Sequence, residues 1–160
     1  MVTLITVGFV LGTGCINNRH LRQISSIPTA QNSSKASKLL TQKHRYVRLS
    51  TLQQLNSLKW TTAPDTELSN TILTLLEEDS EWCPIRGQAA LLLGTWQNTS
   101  ATGAIVEALT ICDDESRYWM LKGLQPLAKA DPIALGTIQS LRNDADIFIR
   151  NEATQWLEGQ

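Results

Sequence analysis

From Arg45 onward the apolar positions fall on helical faces, and the faces recur. Ile72, Ile105 and Ile138 lie 33 residues apart, and Leu75, Ala108 and Leu141 follow them by three, on the same face of each helix. A second pattern comes after each: Ile85, Ala89 and Leu93, then Trp119, Gly123 and Leu127, then Ile149, Ala153 and Leu157, all spaced four and four. Asp79, Asp113 and Asn143 each precede their triple by six residues, so this period runs 34 and then 30. Two helices per period predict an all-α chain. About three antiparallel helical hairpins would stack as a right-handed α-solenoid, each burying its apolar face only against its neighbours.

Local signals support that division. Val47, Thr51 and Leu55 repeat the second pattern upstream, predicting a leading helix, or half-repeat, over residues 45–60. Pro64-Asp65 opens one helix, Asp131-Pro132 opens another with an N-cap and a proline at the first helical position, and Gly94 closes a third. Ala89, Gly123 and Ala153 are small enough for close helix–helix approach. The predicted repeat domain spans residues 45–160.

Ahead of Arg45 the periodicity stops. Residues 16–44 are rich in Asn, Gln, Ser, Thr, Lys and Arg, and such a stretch cannot bury enough surface to offset its chain entropy. Residues 15–44 are therefore expected to form a flexible basic linker, part of a disordered N-terminal tail. Residues 2–12 are apolar apart from Thr3 and Thr6, and Gly-Thr-Gly-Cys follows, which predicts a signal peptide or an uncleaved apolar anchor over residues 1–14. That ending resembles a bacterial lipobox. The resemblance implies lipidation of Cys15 and a membrane-anchored lipoprotein of the cell envelope facing the periplasm. Gly12 stands where a lipobox usually has Leu, and no Lys or Arg precedes the apolar block. The alternative is a cytoplasmic protein whose apparent signal reflects the choice of start site.

Charge changes the picture more than composition does. The 160 residues are 42% hydrophobic with a formal net charge of -1, which excludes wholesale disorder. That average conceals two halves: residues 1–64 hold eight basic and no acidic residues, and residues 65–160 hold six basic against fifteen acidic. A basic tether beside an anchor suits anionic lipid headgroups. The repeats lack the clustered Lys and Arg of a nucleic-acid groove, so no nucleic-acid partner is expected. His20 and His44 are far apart and accompanied by neither a carboxylate nor a cysteine pair, so no metal or cofactor is expected either.

The second helices resemble HEAT-like repeats, particularly the short repeats of the phycobilisome lyase group. The residues that carry this are Asp79, Ile85-Arg86, Ala89-Ala90 and Leu93-Gly94, and in part Asn143, Ile149-Arg150, Ala153 and Leu157. In the middle unit Trp119-Met120 replaces the aliphatic-Arg pair, and Pro126 inside the helix predicts a kink. The resemblance covers residues 45–160. It implies an Asp/Arg ladder between units drawn from Asp79, Arg86, Asp144 and Arg150. It also implies one alternative function, a subunit or chaperone-like component of a tetrapyrrole (bilin) lyase or related modifying enzyme.

Candidate chemistry is sparse. Glu77, Glu78, Asp79 and Glu81, then Asp113, Asp114 and Glu115, then Asp144 and Asp146 gather in the turns between paired helices. They either cap the second helices and oppose their dipoles, or form an acidic edge for a basic partner, a divalent cation or the tether. No carboxylate pair has a nucleophile or histidine beside it, so the chain is not expected to be an enzyme. Cys83 and Cys112 are either two separate buried thiols or, in an oxidising compartment, a disulfide; bridging needs Cα atoms closer than about 7 Å, whereas stacked helices sit about 8–10 Å apart. Of the five tryptophans, Trp119 and Trp156 are expected in the core and Trp82 and Trp96 partly exposed at helix ends. Gln88, Leu91, Lys122, Gln125, Glu152 and Gln155 would line a concave partner-binding face. The function expected is a non-catalytic protein-interaction or scaffold module with an unknown protein partner, tethered to a membrane through its N-terminus. A cytosolic HEAT-repeat regulator is the remaining alternative.

Overall fold

Helices and the turns between them make up all of the residues that the computed structural model describes, 33–58 and 64–160. In chain order they are α1 (Ser33–Leu40), α2 (Arg45–Ser57), α3 (Thr66–Glu77), α4 (Cys83–Thr95), α5 (Thr102–Ala108, entered through the 3-10 turn Thr99–Ala101), α6 (Asp114–Leu127), α7 (Pro132–Leu141) and α8 (Ile147–Glu158). Consecutive helices pair as α1–α2, α3–α4, α5–α6 and α7–α8. Each odd helix also touches the next odd one and each even helix the next even one, so the chain forms two rows, and α4 against α6 is the most extensive contact.

The core lies between the rows. Ile72, Ile105, Ile138 and Ala108 are fully buried, and Leu75 and Leu141 nearly so, as their common spacing predicts. Aspartate begins four of the helices. Asp65, Asp113, Asp131 and Asp146 accept hydrogen bonds from the backbone N–H groups of Leu68, Ser116, Ile133 and Phe148. Each such cap is worth about 1 kcal/mol. The Leu68 N–H, with the Ser33 hydroxyl, holds the Asp65 carboxyl below the usual aspartate range.

Three expectations are corrected. Part of the segment expected to be a flexible linker is α1, whose Ala36, Leu39 and Leu40 are buried against the core and whose presence completes a full hairpin with α2. Gly94 does not close α4: it is buried inside the last turn, and the helix ends through Gln97 at φ 57°. The Asn98 N–H donates to the Leu93 carbonyl and the Gln97 N–H to the Gly94 carbonyl, a Schellman ending with glutamine in the position glycine usually takes.

The third correction concerns the repeat itself. Counted from the N-caps His44, Trp82, Asp113 and Asp146, the fourth residue of every even helix is arginine: Arg48, Arg86, Arg117 and Arg150. The middle unit therefore keeps its arginine. Its buried counterpart of Ile85, Ala89 and Leu93 is Ser116, Met120 and Leu124, all at 1% exposure or less. The shift of three residues is almost one helical turn, so the alternative triple Trp119, Gly123 and Leu127 fits the same periodicity. Pro126 lies one residue from the end of α6, in its last turn.

Helices α4 and α6 share one register over their whole length. Cys83 is bonded to Cys112, with Cα atoms 5.5 Å apart. A Cβ on Gly87 would meet the Ser116 carbonyl oxygen at 3.0 Å, and a Cβ on Gly94 would run into the backbone of Gly123. All three pairs are separated by 29 residues, so the disulfide closes one end of a backbone-to-backbone contact that two glycines close at the other. The typical interhelix spacing does not apply here, because glycine lets the two axes approach.

Candidate interaction edge

The even helices all begin at one edge, and the sequence concentrates chemistry there. Arg48 reaches forward from the first hairpin to Glu81 of the second, 2.7 Å from Nε to Oε2. Arg117 reaches forward from the third hairpin to Asp144 of the fourth, while also pairing with Asp114 at 2.8 Å. Between the second and third hairpins the Cys83–Cys112 disulfide occupies the corresponding place. Three of the four arginines also tie down a nearby turn or helix end. Arg48 donates to the Gln42 and Lys43 carbonyls, Arg86 to the Leu76 carbonyl, and Arg150 to those of Asp144 and Ala145. Arg86 is buried and faces Asp79 at 3.6 Å, a pairing within its own hairpin.

These contacts account for most of the acidic edge. Glu81 and Asp144 are spent on arginines, Asp113 and Asp146 on helix caps, and Asp114 on Arg117. Glu77, Glu78, Asp79 and Glu115 are exposed. Among the described residues no group of three His, Cys, Asp or Glu side chains is placed to hold a metal ion.

The expected partner face fares differently. Gln88 and Gln125 are buried. Asn56 of α2 donates to the Gln88 carbonyl and to its side-chain oxygen, both at 3.0 Å, which ties α2 to α4. Lys122 and Gln125 both donate to Glu152 Oε1, at 2.8 and 2.7 Å, and tie α6 to α8, with the Tyr118 hydroxyl 3.5 Å from Oε2. Burial pushes the Glu152 carboxyl up, but those hydrogen bonds and the Lys122 charge outweigh it and hold the group below the usual glutamate range. Four of the six residues thus bind one even helix to the next. Leu91 is half-buried, and Gln155 alone of the set is exposed.

Aromatic side chains supply the exposed apolar surface instead. Tyr118, Trp119 and Phe148 line a groove between the starts of α6 and α8, together with Asp114, Glu115 and Asp146. Phe148 is 73% exposed, the most exposed large apolar side chain described, and Ile147 beside it is 54% exposed. The Tyr118 and Trp119 rings meet edge to face at 5.4 Å, and Trp119, expected in the core, is only half-buried. At the far end of the same edge, Tyr46 and Trp82 pack edge to face at 5.6 Å, with the Arg45 guanidinium over both rings. Trp96, expected to be partly exposed, is buried instead.

Phe148 and Tyr46 were not among the residues singled out by periodicity. One signal was present: Ile147, Phe148 and Ile149 run consecutively after the cap Asp146, and three consecutive helical residues spread over about 200° of the helix, so a short apolar run at a helix start tends to leave part of itself outside the core. Ile149 is the one of the three that is buried.

Cys15, His20 and Trp60 lie outside the described residues, as do the proposed signal segment and most of the linker. No helix among the described residues is long and apolar enough to cross a membrane. No protein-family model matches the chain, and no curated protein matches it.

Proposed function

We propose that this chain is a non-catalytic protein-interaction module, a right-handed α-solenoid of HEAT-like hairpins whose contact surface is the edge where the even helices begin. The observation that carries the reading is the groove of Tyr118, Trp119 and Phe148. Large exposed aromatic side chains clustered on a rigid scaffold are the usual anchors of a protein interface. The polar residues farther along the even helices support it in another way, since their hydrogen bonds stiffen the platform rather than meet a partner. Helix caps, forward-reaching arginines and a disulfide all fix the positions of the helix starts, which makes the edge a rigid support.

The Cys83–Cys112 bond favours an oxidising compartment. This supports the reading of the N-terminal segment as an export signal with Cys15 as the lipidated residue, tethering the module to a membrane on its periplasmic side. Co-purification from solubilised membranes tests the module: the full chain should retain a discrete partner that Phe148→Ser and Trp119→Ala variants lose. A partner retained equally by both variants would reject the edge. Labelled palmitate should enter the wild type and not Cys15→Ala, and an unlabelled wild type would reject the tether.

A further inference from the structure

We infer that the α6–α8 groove receives a cationic side chain, arginine or lysine, from a peptide segment of its partner; this rests on the reading of the edge as an interaction surface. Charge selects this occupant. The groove is lined by three carboxylates, Asp114, Glu115 and Asp146, and three aromatic rings, Tyr118, Trp119 and Phe148, with no basic residue in its lining. Asp146 is engaged as a helix cap and Asp114 with Arg117, whereas Glu115 is exposed and makes no ion pair among the described residues. A carboxylate beside clustered aromatic rings is the environment that attracts a guanidinium or ammonium, through both charge and the ring quadrupole.

The protein already contains one arrangement of this kind. At the start of α2, the Arg45 guanidinium lies 5.6 Å from the centre of the Tyr46 ring and 5.0 Å from that of Trp82. Tyr46 is the second residue after its N-cap, and Phe148 is the second residue after its own. Three hairpin steps along the edge, then, the same helix position again presents an aromatic ring beside the rings of a neighbouring helix. At the first site the chain supplies the cation itself. At the second it supplies carboxylates, and the residue corresponding to Arg45 is Ile147. The cation that completes the second arrangement comes from another chain.

The groove favours a side chain that is cationic at its tip and apolar along its stem. Trp119 and Phe148 would cover the methylene stem, and Glu115 would meet the charge. An acidic peptide would face like charge at the same place.

Two synthetic decapeptides test this, alike in apolar residues, one carrying two arginines and the other two glutamates at the same positions. Binding to the full chain is read by fluorescence anisotropy at low and high salt. The arginine peptide should bind about tenfold more tightly than the glutamate peptide, and Phe148→Ser and Glu115→Lys should each weaken it about fivefold or more. Both side chains are exposed, so the variants should keep the wild-type circular dichroism. Equal binding of the two peptides, or a preference for the glutamate peptide that still depends on Phe148, would overturn the cationic partner while leaving the edge as an interface. Arginine-peptide binding insensitive to both substitutions would overturn the groove as its seat.

Discussion

Gly94 and Gly123 meet backbone to backbone: a Cβ on Gly94 would lie 2.6 Å from the Gly123 carbonyl carbon and 2.7 Å from its Cα. The same 29-residue offset joins Cys83 to Cys112 at the other end of the two helices. The central pair, α4 and α6, is therefore held in one register by a covalent bond and by the absence of two side chains. The aromatic groove sits on the starts of α6 and α8, so that register places its α6 wall, and the Arg117–Asp144 and Lys122–Glu152 pairs place α8 against it.

Alanine at either glycine should force the helices apart. The helix-propensity gain of about 1 kcal/mol is outweighed by overpacking against backbone that cannot yield, and a net loss of about 2 kcal/mol is expected. Gly136→Ala is the control, since nothing lies within 4 Å of its added Cβ. It should stabilise by about 0.5–1 kcal/mol. Urea unfolding of the three variants checks both signs.

Reduction should loosen the same pair. A bond spanning 29 residues restricts the unfolded chain by about 3–4 kcal/mol on the chain-entropy argument. The Cys83→Ser/Cys112→Ser double variant should lose stability of that order. Counting free thiols in denaturant without reductant should find neither cysteine reactive.

Gln97 should be improvable. A glutamine at φ 57° carries the steric cost of the left-handed region, which glycine avoids. Gln97→Gly is expected to raise stability by about 0.5–1 kcal/mol in denaturant titration.

Acid should act partly through Glu152. Its folded pKa lies below the ordinary glutamate value of 4.5, so its contribution is present above that pH and is lost as the pH falls through the lower, folded value. Asp65 acts in the same direction. Stability measured against pH should fall more steeply in the wild type than in Glu152→Gln as the solution becomes acid, with the two curves parallel near neutrality.

Much of this architecture is legible in the sequence, because the apolar spacing of α3, α5 and α7 and the caps Asp65 and Asp131 are local signals. What was not legible depended on tertiary contact. Helix α1 is two turns long, and its burial of Ala36, Leu39 and Leu40 exists only because α2 and α3 are there to receive it. The frame of α6 was ambiguous because a three-residue slip preserves its apolar face, and only the Asp113 cap resolves it. The close approach at Gly94 could not be told from a helix ending, and the disulfide depends on that approach. The site was the least legible part. Gln88 and Gln125 look like surface residues until their hydrogen-bond partners on neighbouring helices are known, whereas an exposed phenylalanine carries the same letter as a buried one.

The most direct measurement of the central claim is site-specific photocrosslinking in the full chain with a benzophenone amino acid at position 148. Position 103, a glycine with nothing within 4 Å of an added Cβ, serves as the exposed control away from the edge. A module that binds through its aromatic edge should give a discrete crosslinked species from position 148 and none from position 103. Equal crosslinking at both positions, or none at 148, would contradict the account.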